Sequence, residues 1–198
     1  MSEEWIAAAR QEGPHALYLL GGKYRDGIGT ARNPERALRC FQLAAELGDA
    51  YAQNSLACLY RDGDGVPTDG LEAVRWFRMA ADQGDLYARL NLGQMLRDGD
   101  GVPEDQAEAA RHLLQAARQG DGYAMYHIGL MYHRGQGLPQ DDLQALLWLE
   151  RAVAQHYPDA QPDRDRLACL IPPERLDATI RMARDWQPDP VASCSAPS

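Results

Sequence analysis

The sequence predicts an all-α fold: a solenoid of four 36-residue helix-turn-helix repeats with a helical cap at each end. Two observations carry this. Small residues recur in register at one fixed period along most of the chain, and the segments between them place apolar residues at helical spacing. Gly27, Gly63, Gly99 and Gly135 form one column, and Gly29, Gly65, Gly101 and Gly137 a second. Ala16, Ala52, Ala88 and Ala124 match, as do Ala37, Ala73, Ala109 and Ala145. Ala44-Ala45 returns as Ala80-Ala81 and Ala116-Ala117, then as Ala152-Val153. Tyr24, Tyr60 and Tyr132 share a column with Leu96. The repeats are framed as 15–50, 51–86, 87–122 and 123–158.

The first fourteen residues read as half a repeat. Trp5, Ala8 and Ala9 lie one period before Phe41, Ala44 and Ala45, so Glu3 to Glu12 is expected to form a lone capping helix. Each repeat then contributes two helices, A and B. In the second, helix A runs from about Ala50 to Arg61, with Ala52, Leu56, Leu59 and Tyr60 on one side. Gly63 and Gly65 stop it and Pro67 stiffens the turn. Asp69 is the expected N-cap of helix B, and Glu72 the reciprocal partner of a capping box. Asp105 with Glu108 and Asp141 with Gln144 repeat the pattern, while Asn33 precedes Pro34 in the first repeat. Helix B is expected to bury Ala73, Phe77, Ala80 and Ala81, and to end near Gly84, as its equivalents end near Gly48 and Gly120. Ala57, Gly93 and Gly129 read as points of close helix approach. Residues 159–186 read as C-terminal capping helices: Asp159 to Leu170, a break at Pro172-Pro173, then Glu174 to Trp186 with Leu176, Ile180, Ala183 and Trp186 inward. Residues 187–198 read as a disordered tail.

Composition narrows the function. The 198 residues are 45% hydrophobic and carry a formal charge of −9, which argues against nucleic acid and anionic membranes as partners. Lys23 is the only lysine, so lysine chemistry has a single possible site. Cys40, Cys58, Cys169 and Cys194 show no paired spacing, which favours a reduced, cytoplasmic protein. The acidic start, with Glu3 and Glu4, is unlike a signal peptide, and no apolar stretch is long enough to span a membrane.

The block Ala88, Leu92-Gly93, Gly99-x-Gly101-Val102-Pro103-x-Asp105, Ala109, Ala116-Ala117 and Gly120 resembles the SEL-one-like repeat (SLR) family, of the tetratricopeptide-like class. The resemblance covers His15 to about Pro158. It implies a right-handed α/α superhelix and a bacterial protein-interaction adaptor or scaffold. Relatives serve in membrane-protein quality control, signalling, cell-envelope assembly and host interaction. Some cysteine-rich secreted relatives are linked to β-lactam binding or hydrolysis, but their paired cysteines are absent here.

No catalytic or metal constellation emerges, and no cofactor is expected. Counted as a calcium loop from Asp62, positions five, six and twelve hold Val66, Pro67 and Ala73, which are not the oxygen ligand, glycine and glutamate required. His15, His112, His127, His133 and His156 form no HExxH motif. A Cys58–His127 nucleophile pair has no local motif behind it.

The expected site is a surface. Curvature of such arrays puts the A helices on the concave wall. The outward positions there are His15, Tyr18, Gly22 and Arg25; Tyr51, Asn54, Cys58 and Arg61; Tyr87, Leu90, Gln94 and Arg97; and Tyr123, Tyr126, Leu130 and His133. Tyr51, Tyr87 and Tyr123 form one ladder, and Arg25, Arg61 and Arg97 another. Tyrosine and arginine are enriched at binding hot spots. Each arginine also precedes an aspartate (Asp26, Asp62, Asp98), so the ladders either hold a partner or brace their own turns. The expectation is a monomeric, non-catalytic adaptor for another protein or peptide. An immunity protein neutralising a basic effector is the alternative, and a β-lactam hydrolase a more distant one.

Overall fold

The computed structural model describes residues 11–189. Among them are ten complete helices and no strand. The capping helix expected at the N-terminus lies outside the described residues, apart from the helical Gln11 and Glu12. Helix A and helix B of the four repeats are α1 (Pro14–Asp26) and α2 (Pro34–Glu46), α3 (Ala50–Asp62) and α4 (Gly70–Asp82), α5 (Leu86–Asp98) and α6 (Gln106–Arg118), and α7 (Gly122–Arg134) and α8 (Asp142–Ala154). Two further helices follow, α9 (Ala160–Ala168) and α10 (Pro173–Arg184). The chain divides into two compact units, Met1–Leu92 with Asp100–Val102, and Gly93–Gly99 with Pro103–Ser198.

Helix boundaries are set by short polar side chains and glycine. Asp49, Asp85 and Asp121 cap the A helices α3, α5 and α7, each accepting a hydrogen bond from the N–H three residues on at 2.7–2.8 Å. Gly27, Gly63 and Gly135 end α1, α3 and α7 in the left-handed conformation, with φ of 72°, 73° and 68°, where a side chain would be strained. Asn33, Asp69, Asp105 and Asp141 cap the B helices through their side chains, as the sequence predicts.

The reciprocal half of the expected capping box does not form. The Asp69 N–H donates instead to the Tyr60 carbonyl at 2.9 Å, and the Asn33, Asp105 and Asp141 N–H groups reach Tyr24, Leu96 and Tyr132 in the same way. With that donor satisfied, the Glu72 carboxylate turns outward to Arg75 at 2.7 Å. The backbone bond ties the end of each A helix to the start of its B helix.

In the first unit α1 packs on α2, α3 on α4, and α2 on α3. Leu17, Phe41, Leu56 and Phe77 are buried there, together with the alanine columns apart from the half-buried Ala16. Gln53, fully buried, donates to the Ala45 carbonyl at 3.1 Å and accepts from Gln83 at 2.7 Å. In the second unit α6 packs on α7, α7 on α8, and both α9 and α10 on α8. Ala145, Leu146, Leu149, Leu167 and Ile171 form a cluster there, flanked by Tyr126, Tyr132 and Leu176.

Within a repeat, a glycine of helix A meets a bulky residue of helix B. A Cβ on Gly93 would lie 2.7 Å from Leu113 Cγ, and one on Gly129 would lie 2.8 Å from Leu149 Cγ. Gly21 stands in the same relation to the Phe41 ring, at 2.7 Å. Ala57 fills this column in the second repeat and is fully buried.

The C-terminal helices differ in detail from expectation. α9 ends at Ala168, and its first residue is preceded by Asp159, whose side chain makes no cap. On α10 the buried residues are Thr179 and Ala183, while Leu176 and Ile180 are half-buried, as is Trp186 past its end. Thr179 tolerates burial because its hydroxyl donates to the Arg175 carbonyl at 2.9 Å. Beyond α10, the Trp186 and Trp148 rings both contact the Arg151 guanidinium, at 4.7 and 4.6 Å from the two centroids. Asp189 N–H then donates to the Arg118 carbonyl at 2.8 Å. The remainder of the expected tail, 190–198, lies outside the described residues.

The glycine column yields a paired prediction. Gly129→Val forces an overlap with Leu149 and is expected to destabilise by about 2 kcal/mol. Gly22→Ala, on α1 with nothing within 4 Å of the added Cβ, is expected to stabilise by about 0.5–1 kcal/mol. Urea midpoints of the two variants should move in opposite directions.

Candidate functional site

The outward positions of the A helices carry polar and aromatic side chains that are tied to one another. In the first unit His15 Nδ1 lies 3.0 Å from an Asp49 carboxylate oxygen. Its ring stands 5.4 Å from Tyr18 and 5.7 Å from Tyr51, and the two tyrosines are 5.8 Å apart. Tyr51 is still 53% exposed and Tyr87 is 67% exposed, so both offer their rings to solvent.

Beside them runs a hydrogen-bonded polar strip. Arg61 binds both oxygens of Asp62, at 2.7 and 3.1 Å, and its other nitrogen donates to Asn91 at 3.0 Å. Asn91 donates to Asn54 at 3.2 Å and lies 4.0 Å from the Cys58 sulfur. Arg25 grips Asp26 in the same two-pronged way, at 2.8 and 3.0 Å. Cys58 is held above its ordinary thiol pKa chiefly by burial, which disfavours a reactive thiolate.

In the second unit Arg97 binds both oxygens of Asp98, at 2.7 and 2.9 Å. Burial works against its charge, yet the hydrogen bonds to Asp98 and the nearby Tyr123 carry the guanidinium above its ordinary pKa. Tyr123 is half-buried, with its ring 4.2 Å from His127 and 6.1 Å from Tyr157. Tyr126 stands 5.0 Å from both His127 and Tyr157, and its hydroxyl donates to Asp163 at 2.8 Å. Burial, reinforced by Asp163, pushes the Tyr126 hydroxyl up to about 12. His133 Nδ1 lies 2.7 Å from Asp142. Leu90 and Leu130 are half-buried and Gln94 is exposed.

The arginine ladder therefore braces its own turns at every step. The tyrosine ladder has exposed rings at Tyr51 and Tyr87 and a packed one at Tyr123. Two participants escaped the sequence reading. One is the column that holds Asn91 and His127, four residues after Tyr87 and Tyr123, whose polar character on a helix face was the available signal. The other is Tyr157, which stands where Asp49, Asp85 and Asp121 cap the earlier A helices. That broken column marks it.

Among the described residues, no group of three or more His, Cys, Asp and Glu side chains could hold a metal ion. No described helix is long and apolar enough to cross a membrane. The surface offers aromatic area, fixed guanidinium groups and amide hydrogen-bonding groups.

A family model described as the Sel1 repeat matches residues 14–49, 50–85, 86–121 and 122–157. The chain belongs to the Sel1 repeat family. Each matched Sel1 repeat begins one residue before the frame taken from the glycine columns. A Sel1 repeat protein from Oxalobacter formigenes is 30% identical, with a TM-score of 0.75 over 88% of this chain and 71% of the other. The c5321 protein, a protective antigen of uropathogenic Escherichia coli strains displaying an SLR fold, is 29% identical, with a TM-score of 0.75 over 91% of this chain and 40% of its own. A Sel1 repeat protein from Klebsiella pneumoniae is 25% identical, with a TM-score of 0.51 over 84% of this chain and 83% of the other. Comparison with curated proteins finds no match. The fold is thus an all-α solenoid of the Sel1-repeat class, and Sel1 repeats are generally protein-interaction units.

His127 gives the Sel1 repeat surface a pH signature. Burial, with Arg97 and Arg134 adding repulsion and Asp98 opposing it, holds the imidazole down to about 4 from its ordinary 6.5. Between those values the unfolded chain binds the proton and the folded chain does not. This contribution to stability is complete above pH 6.5 and is lost as pH falls toward 4. It is expected to amount to about 1–2 kcal/mol, reduced by solvent screening at a half-buried site. Urea midpoints at pH 7 and pH 4.5 should show His127→Gln losing less stability on acidification than the parent.

Proposed function

We propose that the chain is a non-catalytic adaptor that binds a partner polypeptide along the outward faces of its A helices. The single observation behind this is that Tyr51 and Tyr87, at equivalent repeat positions, leave 53% and 67% of their surfaces in solvent. A tyrosine offers large contact area with few rotatable bonds, and so loses little entropy on binding. The proposed binding residues are Tyr18, Arg25, Tyr51, Asn54, Arg61, Tyr87 and Leu90 in the first unit, and Gln94, Arg97, Tyr123, Tyr126, Leu130 and His133 in the second. Helix faces of this kind suit an extended or helical segment as the occupant.

The bracing of Arg61 and Arg97 by Asp62 and Asp98 is compatible with binding. A guanidinium fixed in advance loses less freedom when a carbonyl or carboxylate arrives. Free Cys40, Cys58 and Cys169 suit a reducing compartment. We place the protein, a monomer, in the bacterial cytoplasm.

The double variant Tyr51→Ala with Tyr87→Ala tests these faces. Both side chains are exposed, so stability should change by only about 0.5 kcal/mol per site. Affinity enrichment from the native host should recover a partner with the parent chain and lose it at least about tenfold with the variant. Recovery of the same partner in equal amount would remove the A-helix wall from the account.

A further inference from the structure

We propose that the open cavity bordered by α7, α8, α9 and the turn after α9 receives the free C-terminal carboxylate and the apolar last side chain of a partner polypeptide. The inference rests on the adaptor reading and adds the chemistry of one end of the bound segment.

The cavity measures about 270 Å³ and is lined by Leu130, Leu149, Leu167 and Leu170, with His133, Arg134, Asp163 and Arg166 also in its wall. Leu149 and Leu167 are buried, at 1% and 3% exposure, and supply an apolar floor. The charges are unequal in their freedom. Asp163 accepts from the Tyr126 hydroxyl on one oxygen at 2.8 Å and from Arg166 on the other at 3.0 Å. His133 is engaged by Asp142 at 2.7 Å. Arg134 has no acidic side chain within ion-pair distance among the described residues, and Arg134 and Arg166 together outnumber Asp163, so the lining itself carries one positive charge in excess.

A leucine floor beneath an unpaired guanidinium fits an anion joined directly to an apolar group. In a polypeptide, a chain end with an apolar last residue has that form, whereas aspartate and glutamate side chains lack the apolar body. Small-molecule sites usually enclose about 300–1,000 Å³, so this smaller space suits one residue with its terminus. The route toward it is also present. Tyr126 and Leu130 precede Arg134 on one face of α7 at four-residue spacing, so residues upstream of the terminus could follow that helix.

The test titrates three probes into the ¹⁵N-labelled full-length chain: acetyl-Gly-Gly-Leu with a free carboxylate, its C-terminal amide, and 4-methylpentanoate. The acid peptide should shift the amide signals of Leu130, His133, Leu167 and Leu170. It should bind at least about tenfold more tightly than the amide. Arg134→Gln should erase that difference without lowering the melting temperature, since the side chain is exposed. No shift at about 10 mM probe, equal binding of acid and amide, or shifts confined to other residues would overturn the proposal. So would 4-methylpentanoate binding as tightly as the peptide, which would make this a site for small acids. The adaptor reading fails separately. Tyr51→Ala with Tyr87→Ala retaining the partner removes the A-helix faces, whereas loss of the partner with no tripeptide binding removes only the cavity.

Discussion

In three of the four repeats a glycine on helix A faces a bulky side chain on helix B: Gly21 and Phe41, Gly93 and Leu113, Gly129 and Leu149. These contacts set the distance between the two helices, and much else follows from that distance. At this spacing the alanine columns, Ala16 apart, are sealed from water. The N-cap N–H of helix B can reach the last turn of helix A, which turns the loop into a fixed connection. Glycine within a helix costs about 1 kcal/mol relative to alanine, so the arrangement persists only where close packing returns more than that.

With one side of each A helix committed to this packing, the other side carries the polar and aromatic side chains proposed to meet a partner. Its order comes from short polar side chains. Arg61, Asn91 and Asn54 form a chain of hydrogen bonds across α3 and α5 in the first unit. Arg97, Tyr123, His127 and Tyr126 form an aromatic and cationic cluster in the second. In both, a guanidinium is held by the neighbouring aspartate before any ligand arrives. Bracing and binding, set against each other as readings of the sequence, are compatible roles for the same side chain.

Most of the fold was legible because it is written in columns. The glycine and alanine registers gave the repeats, and Asn33, Asp69, Asp105 and Asp141 gave the starts of the B helices. What escaped depends on atoms that a residue pattern does not carry. The sequence offers Glu72 as a capping-box partner, yet the Asp69 N–H goes to Tyr60 because the A helix ends within reach. Asn91 was passed over for Leu90, since helical spacing defines a face only to within one position. Tyr157 departs from a column of aspartates, and its role appears only when its ring meets Tyr126. Burial of Thr179 is likewise invisible until its hydroxyl finds the Arg175 carbonyl.

A double-mutant cycle on Gly129 and Leu149 probes the packing constraint most directly. If the two residues set the helix spacing together, Leu149→Ala opens the room that Gly129→Val needs. The combined loss of stability should then fall short of the sum of the single losses by at least about 1 kcal/mol. Strictly additive losses would mean that the two positions act independently, and that the spacing of the helices is set elsewhere.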